Sequence, residues 1–255
     1  MFDLPEEVKK QNLFIEKMAN DGDPKSQFLY AVQLDTGDGG VERNAEKAFQ
    51  MYQASANNGY LEAIYNLGVC YQTANGCATD KKKACELYKQ AADKGHLKAA
   101  VTYATCCMNG LGTKVDMKQA IKYYKKAADR GDADAQLNLG YFLKRGDIVK
   151  KNLTEAAKYF SKAAAQYNIE AQYSYGLCFL NGDGVEKDMT KYAHYMKLSA
   201  DQGNTEAMYR YAQCLENGEG VRKNINEAIA YYDTAGDRGH HAAREAYLRL
   251  NPPKK

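Results

Sequence analysis

Seven cysteines and four histidines are the side chains of this chain with the most chemistry to offer, and their spacing decides what they can do. A zinc or hydrolytic centre needs ligands or a nucleophile–base pair at characteristic short spacings. None of His96, His194, His240 and His241 stands in a His-Glu-x-x-His or Cys-x-x-Cys context. Cys70, Cys106, Cys178 and Cys214 instead recur at intervals of 36 residues or twice that. That phase belongs to a repeated packing element. Equivalent positions on stacked helices lie about 8–10 Å apart, whereas a disulfide requires Cα atoms within about 7 Å. Cys77 and Cys85, within one repeat, are the pair left for oxidation. No Walker loop and no Gly-x-Ser-x-Gly elbow occurs, and Gly182-Asp183-Gly184-Val185 returns as Gly218-Glu219-Gly220-Val221, so it reads as a repeated turn and not a phosphate cradle. Asn152-Leu153-Thr154 matches a glycosylation sequon but falls at a helix start. The sequence therefore assigns no catalytic residue, no metal ligand and no cofactor.

The elements that position these residues follow from one copied unit. Gly22, Gly59, Gly95, Gly131, Tyr167, Gly203 and Gly239 are spaced 37, 36, 36, 36, 36 and 36 residues apart. Counting from each, apolar or small residues at the fourth, eighth, ninth and twelfth positions trace one face of a first helix, A. The ninth is always small: Ala31, Gly68, Ala104, Gly140, Gly176 and Ala212. A glycine turn follows. Asn44, Asp80, Asp116, Asn152, Asp188 and Asn224 then occupy the N-cap place of a second helix, B, with Glu155 and Glu227 resembling capping-box partners. Helix B carries alanines in its first and last turns around an aromatic pair such as Tyr123-Tyr124, Tyr159-Phe160 or Tyr231-Tyr232, so the 21 tyrosines are architectural. Small residues of A are expected to face alanines of B, with the tyrosines filling the space toward the next hairpin. A boundary glycine suits the left-handed residue that ends helix B; at the exception, either Asn168 is expected to take that conformation in place of Tyr167 or the geometry is expected to shift there. No hairpin buries its apolar face alone, so stability must come from stacking neighbours.

The pattern Ala-x-x-x-Leu-Gly, Gly-x-Gly-Val-x-x-Asp and Ala-x-x-Tyr-Tyr-x-x-Ala-Ala-x-x-Gly, carried by Ala135 to Gly140, Gly182 to Asp188 and Ala120 to Gly131, resembles the Sel1-like repeat, a relative of the tetratricopeptide repeat. Ala74-Asn75-Gly76-Cys77, Ile148 and Tyr167 depart from it. The resemblance implies an all-α fold, a right-handed superhelical α/α solenoid of about six Sel1-like repeats with half-repeat caps. The expected organisation is a capping helix in 1–22, six repeats over 23–239 (23–59, 60–95, 96–131, 132–167, 168–203, 204–239), and a capping helix and tail in 240–255. It also implies scaffold or adaptor work. Two other readings accompany it: a purely structural spacer, and a weak β-lactamase-like hydrolase, as proposed for cysteine-rich, secreted and cross-linked relatives. For the hydrolase no nucleophile and base are identifiable here.

Composition narrows the partners. No apolar run is long enough to cross a bilayer, and Met1 to Gln11 is too charged for a signal peptide, so a cytoplasmic protein without membrane insertion is expected. Residues 81–162 hold 18 Lys and Arg against 8 Asp and Glu. This reads either as a solvated outer face or as attraction for an acidic partner; no nucleic-acid module accompanies the charge, and nucleic acid is not expected. On a helical wheel the sixth, tenth and thirteenth positions of helix A project away from the core stripe, and they are largely apolar. The expected groove for a protein or peptide comprises Tyr65, Val69, Met108, Tyr141, Tyr173, Leu177, Leu180 and Tyr209, with Asn138, Lys144 and Arg210 on its rim. The pattern does not set an oligomeric state.

Overall fold

The second helix of every repeat starts by one device. The side-chain oxygens of Asn44, Asp80, Asp116, Asn152, Asp188 and Asn224 accept the backbone N–H three residues on, which satisfies an otherwise orphaned donor. The reciprocal half of a capping box does not form. The backbone N–H of each cap is already donated to the carbonyl at the twelfth position of its repeat, on the preceding helix, at Leu34, Tyr71, Cys107, Leu143, Phe179 and Leu215. Glu155 and Glu227 therefore take the side-chain amides of Asn152 and Asn224 instead, at 3.1 and 2.9 Å.

The computed structural model describes residues 5–252. Among them are fourteen α-helices and no strand: α1 (Glu6–Asn20), α2 (Pro24–Thr36), α3 (Ala45–Asn57), α4 (Leu61–Thr73), α5 (Lys81–Asp93), α6 (Leu97–Asn109), α7 (Met117–Ala128), α8 (Ala133–Arg145), α9 (Leu153–Ala164), α10 (Ile169–Asn181), α11 (Met189–Asp201), α12 (Thr205–Asn217), α13 (Ile225–Asp237) and α14 (His241–Leu250). A 3-10 turn at Asp38–Gly40 follows α2. The chain divides after Ala127 into two compact units. In the first, each of α1 to α5 packs on the next helix along the chain, and Tyr103 of α6 meets Tyr123 of α7 edge-on at 4.7 Å. In the second, α8 to α14 pack in the same consecutive fashion. This is the helix-pair stacking of a solenoid. No helix among the described residues is long and apolar enough to cross a membrane.

Within a pair, the notch left by the ninth residue of A admits an aromatic or long side chain of B. A Cβ built on Gly68, Gly140 or Gly176 would lie 2.7, 2.6 or 2.4 Å from Tyr88, Phe160 or Met196. At these three copies the glycine thus faces the residue eight after the cap of helix B, where an alanine was expected, which corrects the expected assignment there. The reason is volume: Tyr88 and Phe160 are fully buried and fill the space that an alanine would share. The first member of the pair ties successive B helices together. Tyr123 donates to Asp93 at 2.6 Å and Tyr231 to Asp201 at 2.7 Å.

The boundary residue takes positive φ throughout, from Gly59 at 82° to Gly203 at 102°. Tyr167 does the same, with φ 62°, against the expectation that Asn168 would substitute for it. Asn168 is committed elsewhere. At φ −65° it N-caps α10, accepting the Ala171 N–H, and its amide donates to Asp134 at 2.9 Å. The chain therefore turns at Tyr167, whose ring is 76% exposed. At a different place, the end of helix A, Ala74 of α4 takes φ 60° where the other A helices end on a left-handed glycine.

Candidate partner-binding surface

The A helices, α2, α4, α6, α8, α10 and α12, bury the ninth and twelfth positions in every copy. All eleven residues of the expected groove are half-buried, neither lost in the core nor free in solvent. They sit on the shoulder of the core stripe, where a side chain meets helix B or the next repeat with one edge and solvent with the other.

In the first unit, Tyr65 leans on Tyr88 of α5 (5.6 Å between centroids) and stacks on His96 at 4.9 Å. Val69 lies one turn further along α4, and Met108 lies near the end of α6. In the second unit the contacts are denser. Tyr141 of α8 meets Phe160 edge-on at 5.2 Å, and its hydroxyl shares a 2.7 Å hydrogen bond with Ser174 and donates to Glu170 at 3.0 Å. Burial pushes that hydroxyl up to about 12. Asn138 is tied to its own helix through the Asp134 carbonyl, and Lys144 pairs with Asp183 at 3.2 Å. Arg210 donates to the Tyr173 hydroxyl at 3.2 Å and pairs with Glu206 at 2.8 Å. Leu177 and Leu180 of α10 and Tyr209 of α12 pack against the buried core of this unit. Tyr209 also stacks on His240 at 4.5 Å. The second unit thus gathers Tyr141, Tyr173, Leu177, Leu180 and Tyr209 with Asn138, Lys144 and Arg210, and the first unit carries Tyr65, Val69 and Met108 in the same register.

One network escaped the reading of the sequence. In the second unit the N-caps of α10, α12 and α14 are tethered by the carboxylate at the third position of the preceding repeat: Asn168 by Asp134, Asn204 by Glu170 at 3.3 Å, and His240 by Glu206 at 3.0 Å. A carboxylate at position three of four repeats (Glu62, Asp134, Glu170, Glu206) was the available signal. His96 and His240 are structural. Their Nδ1 atoms accept the backbone N–H of Ala99 and Ala243 at 3.0 and 3.1 Å, which requires an unprotonated Nδ1.

Burial, opposed by Glu62 and aided by Lys98, holds the His96 imidazolium below its ordinary range. The folded state therefore binds fewer protons than the unfolded one, and the stability this contributes is complete above about pH 6.5 and is lost as pH falls through the depressed folded value. Acid melts from pH 7.5 to 5 are expected to show the loss, on the order of the ~1 kcal/mol of an N-cap. His96→Asn, which caps without titrating, removes the His96 share; an unchanged pH profile in that variant would refute the assignment.

Burial governs the state of the thiols. All seven are free, and burial pushes Cys70 and Cys85 up to about 12 and Cys178 and Cys214 to about 11. No group of three or more metal-binding side chains occurs among the described residues.

These features define a helical-repeat solenoid built from paired A and B helices. The Sel1 repeat model matches residues 24–60, 61–96, 98–132, 133–168, 169–204 and 205–240; the chain belongs to the Sel1 repeat family. The crystal structure of c5321, described as a protective antigen present in uropathogenic Escherichia coli strains displaying an SLR fold, superposes with a TM-score of 0.90 at 25% identity over 94% of this chain. The chain spans 51% of that protein's length. A Sel1 repeat protein from Oxalobacter formigenes superposes with a TM-score of 0.74 at 31% identity, covering 84% of this chain and 85% of the other. No curated protein sequence matches the chain. Sel1 repeats generally form non-enzymatic scaffolds for protein–protein interaction.

Proposed function

We propose that this protein is an adaptor without covalent chemistry that holds a protein or peptide segment against the A-helix shoulder of its second unit. The observation that carries the reading is the partial exposure of Tyr141, Tyr173, Leu177, Leu180 and Tyr209 after every neighbouring helix of that unit has packed. Apolar surface left in this state, with polar groups beside it, is the composition of a protein contact. Asn138, Lys144 and Arg210 supply backbone and carboxylate recognition at its edge. Tyr65, Val69 and Met108 repeat the register in the first unit.

Tyr141 is a poor probe, because its ring and hydroxyl hold α8 to α9 and α10. A photo-crosslinking residue at Leu177 or Asn138 tests proximity instead. Adducts to one protein are expected from both sites in native cells, with none from Lys158 of α9 or Thr190 of α11, which are exposed on B helices. Adducts confined to the B-helix sites would overturn the reading.

A further inference from the structure

A cavity of about 180 Å³ in the first unit is lined by Gln72 of α4, Lys81, Ala84 and Tyr88 of α5, Cys106 of α6 and Leu111 of the turn after it. Its inner wall is apolar. Ala84, Tyr88 and Cys106 are buried, and the Tyr88 hydroxyl is spent on Gln72 Oε1 at 2.6 Å. Leu111, 38% exposed, stands at the mouth. There is room for one branched aliphatic side chain.

The rim is cationic. A Cβ on Gly112 would lie 1.9 Å from the Lys81 carbonyl, so the turn from Leu111 to Lys114 rests directly on the first turn of α5. Lys114 follows that contact by two residues, and Lys81, Lys82 and Lys114 are all exposed. Residues 81–127 contain eleven lysines and no arginine, against Glu86, Asp93 and Asp116 alone. None of these lysines enters an ion pair among the described residues. A net positive field of this kind, offset nearby only in part by the cap residues Asp80 and Asp116, attracts and orients anionic partners.

We propose that this cavity is a docking site for an acidic peptide segment. One aliphatic side chain seats against Ala84, Tyr88, Cys106 and Leu111, and flanking carboxylates meet Lys81, Lys82 and Lys114. The site lies wholly in the first unit and is separate from the A-helix shoulder of the second. A peptide fits better than other polyanions. Single-stranded nucleic acid needs accessible aromatic platforms, and Tyr88, Tyr103, Tyr123 and Tyr124 are buried. An anionic membrane surface needs an apolar helix face, whereas the exposed large apolar residues here, Leu111 and Val115, sit on one turn.

The test is fluorescence anisotropy of the full chain with a labelled peptide in which one leucine is flanked by glutamates. It is expected to bind about tenfold more tightly than an all-glutamate peptide or a leucine flanked by serines, and Lys81→Glu with Lys114→Glu is expected to weaken it about tenfold. Leu111→Asp removes the advantage of the leucine. Methyl NMR shifts at Ala84 and Leu111 on adding the peptide locate the site without a variant. Equal binding of the leucine-free peptide, undiminished binding by the double charge reversal, or stronger competition by oligothymidylate or phosphatidylserine vesicles would each overturn the proposal. Because these readouts involve no residue of the second unit, their failure leaves the crosslinking result at Leu177 intact.

Discussion

Replacing Gly184 by alanine is expected to destabilise the second unit by about 3 kcal/mol or more, among the larger effects a single methyl group can have. Two separate causes add. The residue sits at φ +75°, and a Cβ there would lie 2.2 Å from the Leu153 carbonyl oxygen and 2.6 Å from the Thr154 Cα. Both obstacles are backbone at the start of α9, so no side chain can swing aside. Gly239 separates the causes: its φ is +91°, yet nothing lies within 4 Å of its Cβ position. Gly239→Ala is therefore expected to cost only the left-handed strain, about 1–2 kcal/mol. Equal losses for the two variants in urea denaturation would show that the contact with α9 is unimportant. Gly76, Gly112 and Gly220 make the same approach to Ala45, Lys81 and Met189. The glycine two residues beyond the left-handed cap of each such A helix thus fixes how closely one repeat follows the last, and an A helix is positioned by the N-terminus of the preceding B helix.

Much of this was legible in the chain itself. A strict period exposes every structural role several times, so six Asn or Asp caps and six small ninth residues could be assigned before any coordinate was known. What stayed hidden were contacts between repeats, because a period says which residues are equivalent and not what they touch. The twelfth-position carbonyl that takes each cap N–H is a backbone group and leaves no sequence trace, so Glu155 and Glu227 read as capping-box partners. Tyr167 was misplaced for a related reason. Asn168 is the better left-handed residue on intrinsic grounds, but its side chain was already required by Ala171 and Asp134. The shoulder residues were found by their periodicity. Their double duty was not: Tyr141 serves Ser174 and Glu170 while facing solvent, and Tyr65 and Tyr209 cover the histidine caps of the following repeat. A helical wheel places a side chain on a face, but only packing decides how much of it remains free.

Truncating Phe160 to alanine is expected to cost about 3–5 kcal/mol, since it empties a fully buried ring site in the middle of the second unit. The more informative measurement pairs it with Gly140. In the native background Gly140→Ala places its Cβ 2.6 Å from Phe160 Cε1, and forcing that ring aside costs about 1–3 kcal/mol. With Phe160 already truncated the new methyl enters vacated space, and the better helix propensity of alanine contributes about 1 kcal/mol. The double variant should then be more stable than Phe160→Ala alone, with a coupling of about 1–3 kcal/mol by thermal or urea unfolding. Additive losses would mean that the ninth position does not set the spacing of helices A and B. Alanine already stands there as Ala31, Ala104 and Ala212, in pairs whose B helices carry Tyr52, Tyr124 and Tyr232 at the equivalent place. Glycine is therefore no requirement of the fold at this position. Tyrosine stands opposite glycine at Gly68 and opposite alanine in those three pairs, so the ninth residue and the side chain facing it must accommodate each other pair by pair.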